Sequence, residues 1–477
     1  MSYKRGVDKR QLTLLPTSLD EYVPEEHICR VINAFTKQLN IETLGYKYSE
    51  CKATGCRPYD PRMMLNLYIY GYLHRVRSSR RLRDETERNV EVMWLMDGLR
   101  PDDKTISNFR KDNTGALRET YREFVKMCRR LDLYGGEIEA TDSMKVKAQN
   151  SLKKHYSETV VKNEITRIDK KISEYLNALE EADKEEEGER RPGRGSIKAA
   201  LEYLAKKKEK YEKLSERVAA EGEISTVDPD ARMMRNGGDG RRLDVGYNVQ
   251  TVVDSKNHLI VEFEVNNCSS DSGQLHKMSE KAKEILEVEM ITNLADSGYY
   301  NGEDIAACEA DGVTCLVPKH TTGPKKAEGY DHSDFIYERE SDSYICPCGN
   351  RMEYKHVKKR SANGKENRRY VNQEACRQCP RKSECTTYRY REILRLVYQD
   401  TLDKVDERTR ENKELYRKRQ EIVEHVFGTV KGVWGYRQFL CRGNPKVTAE
   451  TAMAYLAYNM RRFFNINKEN GLKLALG

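Results

Sequence analysis

Five apolar residues, Ile165, Ile168, Ile172, Tyr175 and Leu179, advance along the chain in steps of 3, 4, 3 and 4. That is the stripe a coiled-coil helix presents along one face. A similar stripe runs through Ile197, Leu201, Leu204, Tyr211, Leu214 and Val218. Between the two lies Gly188-Glu189-Arg190-Arg191-Pro192-Gly193-Arg194-Gly195, a strong turn signal. The pattern predicts an antiparallel helical hairpin over 155–220, either an arm that grips a partner or DNA, or a solvated spacer. Residues 1–135 read as mostly helical. Helices are predicted to open at Pro24-Glu25-Glu26-His27, Pro61-Arg62-Met63-Met64, Ser78-Ser79 and Asp102-Asp103-Lys104-Thr105, where Ser, Asp or Pro supplies an N-terminal acceptor or a preset φ.

β patterning comes in two blocks separated by the hairpin. A short strand at 137–142 follows the helix-breaking Gly135-Gly136 and ends at Asp142. After Asp228-Pro229-Asp230, strands at 247–253 and 258–265 turn at Asp254-Ser255-Lys256-Asn257. A helix over 272–286, a strand over 290–294 running into Ala295-Asp296-Ser297-Gly298, a helix over 302–310 and a strand over 313–317 follow. The chain is then predicted helical over 402–431 and 448–464. This order implies a mixed α/β (α+β) sheet fold, interrupted by the hairpin and later by a cysteine-bearing segment.

The chain has 477 residues, 38% hydrophobic and 34% charged. This is enough apolar material for several cores. No apolar run approaches the length of a membrane span, so no membrane partner is expected. Met1-Ser2-Tyr3-Lys4-Arg5-Gly6 has no apolar core of a secretory signal, so the expected location is cytoplasmic, with reduced thiols.

Three carboxylates stand out by context. Asp142 and Asp296 close strands, and Glu424 lies on a helix in Val423-Glu424-His425-Val426-Phe427-Gly428. Strand-end carboxylates point at the edge where α/β proteins place their sites. Hard oxygen ligands of this kind suit Mg²⁺, and a pair of such ions stabilises both oxygens of an in-line phosphoryl displacement. Any one acidic residue among 77 is more often a turn or a cap; the combination carries the reading.

The motifs and their order resemble the DDE transposases of bacterial insertion sequences, which have an RNase H-like core, and within them the branch called insertion-sequence eleven-eighty-two. The resemblance rests on Tyr59-Asp60-Pro61-Arg62-Met63-Met64, Ser78-Ser79-Arg80-Arg81-Leu82, Pro101-Asp102-Asp103-Lys104-Thr105, Thr141-Asp142-Ser143-Met144-Lys145, Gly246-Tyr247-Asn248-Val249-Gln250, Ala295-Asp296-Ser297-Gly298-Tyr299-Tyr300 and the Glu424 helix. It implies that Asp142, Asp296 and Glu424 are the catalytic carboxylates holding two Mg²⁺ ions, with Mn²⁺ able to substitute. It implies that Tyr416, Arg419 and Lys431 contact DNA phosphates, although the gap from Arg419 to Glu424 is one residue longer than in the related signature. Arg80, Arg81, Lys104 and Arg110 would belong to the part that recognises the terminal inverted repeats. The implied activity is metal-dependent strand cleavage at the element ends, followed by strand transfer into target DNA. A nuclease without strand transfer and a DNA-binding regulator are the alternatives. Double-stranded DNA is the implied partner, with a homodimer or higher oligomer bringing two ends together at a prokaryotic nucleoid.

Thirteen cysteines include five crowded into Cys346-x-Cys348, Cys376-x2-Cys379 and Cys385. Paired thiols at such spacing fit structural zinc, which takes four ligands. Cys346, Cys376, Cys379 and Cys385 are the expected set, with Cys348 the alternative to Cys346. Residues 351–391 hold 13 Lys or Arg against 4 Asp or Glu, a surface suited to phosphates. The domains expected are a helical N-terminal DNA-binding domain (1–135), an RNase H-like core in two parts (136–154 and 225–325), the inserted hairpin (155–224), a basic zinc-ribbon-like insertion (326–395) and C-terminal helices completing the core (396–477).

Overall fold

Residues 18–49, 57–184, 194–236, 242–319, 329–359 and 366–469 are described by the structure, a computed structural model. Six helices come first: α1 (Ile28–Gln38), α2 (Pro61–Leu73), α3 (Ser79–Arg88), α4 (Val90–Leu95), α5 (Asp103–Asp112) and α6 (Thr114–Arg130). Their starts follow the local chemistry. Asp60 accepts the Arg62 N–H ahead of a Pro at the first helical position, and Asp102 accepts the Thr105 N–H.

The central sheet holds β1 (Ile138–Lys147), β4 (Arg232–Asn236), β5 (Arg242–Asp254), β6 (Ile260–Asn266), β7 (Ile291–Ala295) and β8 (Val313–Leu316). β6, β5 and β1 pair antiparallel in that order, and β7 and then β8 add parallel to β1. β4 pairs the first residues of β5, on the edge that β6 takes further along. An antiparallel half joined through β1 to a parallel half is what an RNase H-like core requires. Gly246 is a close-approach position: a Cβ there would lie 2.4 Å from the Val146 carbonyl oxygen of the neighbouring β1.

One expectation is corrected here. Asp142 does not end its strand, because β1 continues to Lys147 on its β5 side. What ends beside Asp142 is β7, so the edge of the parallel half is reached there all the same.

The inserted hairpin leaves and returns through the two-residue strands β2 (His155–Tyr156) and β3 (Ile224–Ser225), which pair with each other at its base. Its helices are α7 (Glu158–Lys184) and α8 (Arg194–Glu221). Val161, Ile168, Leu214 and Val218 are buried, whereas Tyr175, Leu176 and Tyr203 are exposed. The stripe therefore closes near the base and loosens outward, and charged pairs such as Lys207–Glu164 and Lys208–Asp169 flank its buried part and link the helices. Of the expected turn at 188–195, residues 188–193 lie outside the described residues, and Arg194 and Gly195 already belong to α8.

Helix α9 (Leu275–Leu286) packs on β5, β6 and β7, and α10 (Gly302–Ala310) precedes β8. The segment after β8 forms a second, five-stranded antiparallel sheet: β9 (Ile336–Glu338), β10 (Ser343–Ile345), β11 (Arg351–Lys359), β12 (Glu366–Val371) and β13 (Glu392–Leu396). The short helices α11 (Gln373–Gln378) and α12 (Lys382–Cys385) lie between β12 and β13. Its core of Phe335, Tyr344, Met352, Tyr370 and Ile393 is separate from the main one.

The expected single helical run over 402–431 is α13 (Gln399–Glu411) and α14 (Lys413–Phe427), broken at Asn412 and extended by a π-helical turn, Gly428–Val433. The last helix, α15 (Asn444–Glu469), packs against α2, α6 and β6. Asn459 on α15 accepts the Ile260 N–H and donates to the Ile260 carbonyl, closing the outer edge of β6. The N-terminal helices and the sheet thus share one continuous apolar core.

Glu450 on α15 is fully buried. It accepts the N–H groups of Leu440 and Cys441 and pairs with Arg77 at 3.3 Å. It thereby fixes the segment that runs beside the end of β1. Glu450→Ala would leave two N–H groups unpaired and would leave Arg77 with only the Gln438 carbonyl and the Tyr436 ring. It is expected to cost about 3–5 kcal/mol, read as a lower urea midpoint at unchanged slope.

Candidate active site

The parallel register pairs Thr141 with Ala295, so the next residues, Asp142 and Asp296, emerge side by side where β7 stops. The Asp142 Oδ1 accepts the Ser143 N–H at 2.7 Å, and its Oδ2 accepts from the Arg419 guanidinium at 2.9 Å. The Asp296 Oδ1 accepts the Gly298 N–H at 2.8 Å and so caps the turn Ser297–Tyr299. A Cβ on Gly298 would sit 2.9 Å from that oxygen, a physical reason for glycine two residues after this carboxylate.

Burial pushes the Asp142 carboxyl up to about 6; Arg419 opposes the shift, and the charge of Asp296 adds to it. Two adjacent carboxylates and a guanidinium in contact with one of them form an anionic site already served by a cation. Hard oxygen donors in this setting suit a divalent ion such as Mg²⁺. Because the ion must displace a proton from Asp142, its affinity for the free protein is expected to be level above pH about 6. Below that pH it should fall by up to about tenfold per unit. Calorimetric titration with Mn²⁺ across this range checks the sign.

Glu424 lies on α14, whose Tyr416 and Arg419 face Asp142 and Asp296. Its carboxylate is exposed and has no hydrogen bond or ion pair among the described residues. At about 100° per residue, the five positions from Arg419 turn Glu424 roughly 140° around the helix. The structure brings Asp142, Asp296, Tyr416 and Arg419 together and leaves the Glu424 carboxylate exposed on another face of α14 from Arg419.

Lys431 sits in the π-helical turn. Burial first, then the charges of Arg437 and Lys145, hold its ammonium below the usual lysine range. Beyond the gap left by β7, the edge of β1 is bridged again by the segment after this turn. The Lys147 N–H donates to the Arg437 carbonyl and the Phe439 N–H to the Lys147 carbonyl. Lys145, Lys431 and Arg437 therefore gather around the open stretch of β1 that begins at Asp142.

Sequence reasoning assigned no role to the other side of this opening. Asp271, in the loop between β6 and α9, accepts from Lys145 Nζ at 2.9 Å, Asn248 Nδ2 at 2.8 Å and Gln250 Nε2 at 2.7 Å. Burial works against its charge, but Lys145 and Asn248 hold its carboxyl below the usual range. Asp271 stands in a polar run from Asn266 to Ser272 that is indistinguishable in sequence from an ordinary turn.

Among the N-terminal candidates, Arg80 and Arg81 on α3 and Lys104 on α5 are exposed, with Arg80 3.8 Å from Asp103. Arg110 is not available to DNA. It is buried, with its guanidinium over the Tyr68 ring at 5.7 Å. Its place on α5 faces α2 and α15, so its charge is spent inside the core.

All five clustered cysteines line one cavity of about 30 Å³. The Cys348 and Cys379 sulfurs are 3.7 Å apart. Tetrahedral zinc with bonds of about 2.3 Å places its sulfurs about 3.8 Å apart, so this pair has the spacing of one edge of such a site. Cys348, held as the alternative ligand from sequence, is the cysteine found beside Cys379. The neighbouring Cys379 sulfur, foremost, pushes the Cys348 thiol above its usual value, a strain that a bound cation would relieve.

Two family models match the chain. One, described as a transposase domain (DUF772), covers residues 17–112, and the other, described as a transposase DDE domain, covers residues 345–464. The second span includes Glu424 but neither Asp142 nor Asp296. No curated protein and no solved structure matches the chain.

Proposed function

We propose that this chain, which belongs to the DDE transposases of insertion-sequence type, uses Asp142, Asp296 and Glu424 as the carboxylates of strand cleavage and strand transfer. The adjacency of Asp142 and Asp296 across the β1–β7 register, with Arg419 as a stand-in cation, is the observation that carries this reading. These three residues would hold two divalent ions, normally Mg²⁺ with Mn²⁺ as substitute. When bound, the ions supply charge stabilisation to the attacking and leaving oxygens of the displacement.

The remaining work falls to side chains of the chain itself. Arg419 and Tyr416 border Asp142 and Asp296, Lys431 stands beside Lys145, and all three bind the phosphates flanking the scissile bond. As DNA enters, Arg419 exchanges Asp142 for a phosphate and leaves the carboxylate free. No covalent link between protein and DNA is needed, since the freed 3′-hydroxyl attacks the target phosphodiester directly.

Arg80, Arg81 and Lys104 present an exposed basic surface on the N-terminal helices, which we assign to the terminal inverted repeats. The second sheet, with Cys348, Cys379 and two further thiols from Cys346, Cys376 and Cys385 around zinc, supplies a basic surface for the DNA backbone. A dimer or larger assembly joins two ends, and the protein acts at the nucleoid in the cytoplasm.

The test is a cleavage and joining assay with the purified chain, Mg²⁺ and labelled duplex carrying the flanks of its own reading frame. Nicks at the element ends followed by joined products support the reading. Nicks without joining identify a nuclease, and binding without nicks identifies a DNA-binding regulator; either result overturns strand transfer as the activity.

A further inference from the structure

We propose that Lys145, clamped by Asp271, grips the phosphate to be cut, with Asp271 as its positioning residue. This rests on the reading of Asp142 and Asp296 as the catalytic carboxylates and adds a group that touches the substrate.

The geometry is specific. Lys145 lies three residues beyond Asp142 on β1, in the stretch left open between the end of β7 and the segment bonded to Lys147. Its ammonium is 2.9 Å and 3.2 Å from the two Asp271 oxygens and 3.1 Å from the Ser143 hydroxyl. An ammonium has three N–H donors. Asp271 and Ser143 offer three acceptors for them, so a phosphate oxygen would take the place of one of the two longer contacts, the Ser143 hydroxyl at 3.1 Å or the second Asp271 oxygen at 3.2 Å.

The clamp is built from inside the protein. Asn248 and Gln250 are fully buried, and both donate to the same Asp271 oxygen that receives Lys145. Burying two amides is costly unless their donors find partners. An ordinary surface ion pair needs no such support. The Gln250 carbonyl oxygen in turn accepts the Tyr299 hydroxyl. Tyr299 closes the turn that Asp296 caps, so the chain of contacts runs from Asp142 through Ser143, Lys145, Asp271, Gln250 and Tyr299 to Asp296. A lysine held this way keeps a fixed point charge on β1, tied to Asp142 through Ser143, and loses little rotamer freedom when DNA arrives. Asp271 neutralises part of that charge, which allows Lys145 to stand close to Lys431 without DNA.

The experiment compares two element-end duplexes, one natural and one with a neutral methylphosphonate at the scissile position. Binding is measured with no divalent ion added. Wild type is expected to prefer the natural duplex by about tenfold or more, the worth of a charged hydrogen bond. Lys145→Gln, which keeps the stem and a donor for Asp271, should bind the two alike, and Lys145→Arg should recover part of the preference. Asp271→Asn should lose part of it while keeping the lysine. Retention of the full preference in Lys145→Gln, or its absence in wild type, overturns the proposal.

Cutting with Mg²⁺ is read in parallel. Lys145→Gln is expected to cut about a hundredfold more slowly than wild type, as after loss of one transition-state donor. Asp142→Ala should not cut. If Asp142→Ala cuts as wild type does, the carboxylate reading falls, while the metal-free binding result still decides whether Lys145 meets the phosphate.

Discussion

Asp142→Asn is expected to bind element-end DNA as tightly as wild type and to cut it at least about a thousandfold more slowly, the loss of several kcal/mol of transition-state stabilisation. The substitution keeps the shape of the side chain, but its single oxygen accepts from either the Ser143 N–H or the Arg419 guanidinium and not from both. It removes the charge that repels Asp296 and would attract a cation. Stability is expected to hold or rise slightly, because burial already disfavours the Asp142 carboxylate. Asp296→Asn should match it in cutting. Glu424→Gln is the sharper case, since the carboxylate is exposed and has no partner among the described residues. If it completes the site, Glu424→Gln falls to the level of Asp142→Asn, while Glu421→Gln, on the same helix and equally exposed, keeps wild-type cutting. Equal cutting by the Glu424 and Glu421 variants would remove Glu424 from the catalytic set. Single-turnover rates at saturating DNA separate these effects from binding.

The RNase H-like sheet was legible because its signals are local. Strand alternation, the turn at 254–257, Gly135-Gly136 ahead of the first strand and Gly298 after Asp296 each decide backbone geometry within a few residues. The register between β1 and β7 was not legible, and it makes the site: two aspartates 154 positions apart become neighbours only through strand pairing. The error over where the first strand ends has the same origin. The parallel pairing stops at Thr141, just before Asp142, while the antiparallel pairing continues, and one chain segment cannot show two partners. Arg110 was misread because charge suggests exposure, whereas Tyr68 supplies a face that tolerates a buried guanidinium. Asp271 was missed for the opposite reason. Its partners Asn248 and Gln250 were quoted as part of a motif, but nothing in a single sequence links them to a polar loop some twenty residues later.

Zinc removal should unfold one part of the molecule and spare the rest. The second sheet has a core of five buried side chains, too few to offset the ordering of some sixty residues without a staple. Its other ties among the described residues are polar, such as the Arg395 guanidinium stacked 3.7 Å above the Tyr337 ring, its ion pairs with Asp400 and Asp403 on α13, and the Arg369–Glu392 pair. Structural zinc contributes an apparent 10–16 kcal/mol or so in small thiolate sites, far more than those contacts. The purified chain is therefore expected to carry one zinc per protomer. A chelator should open residues 329–396 to protease while the central sheet, with its separate core, stays resistant. Cys348→Ser and Cys379→Ser should each lose the metal and expose the same segment, since those two sulfurs already stand one tetrahedral edge apart. Retention of zinc by Cys348→Ser would instead return the fourth position to Cys346. The same variants should weaken DNA binding and steepen its loss with salt only if the basic strands β11 and β12 touch the backbone. Binding by the stripped protein that is indistinguishable from wild type across salt concentrations would leave the sheet a structural insert with no hold on DNA.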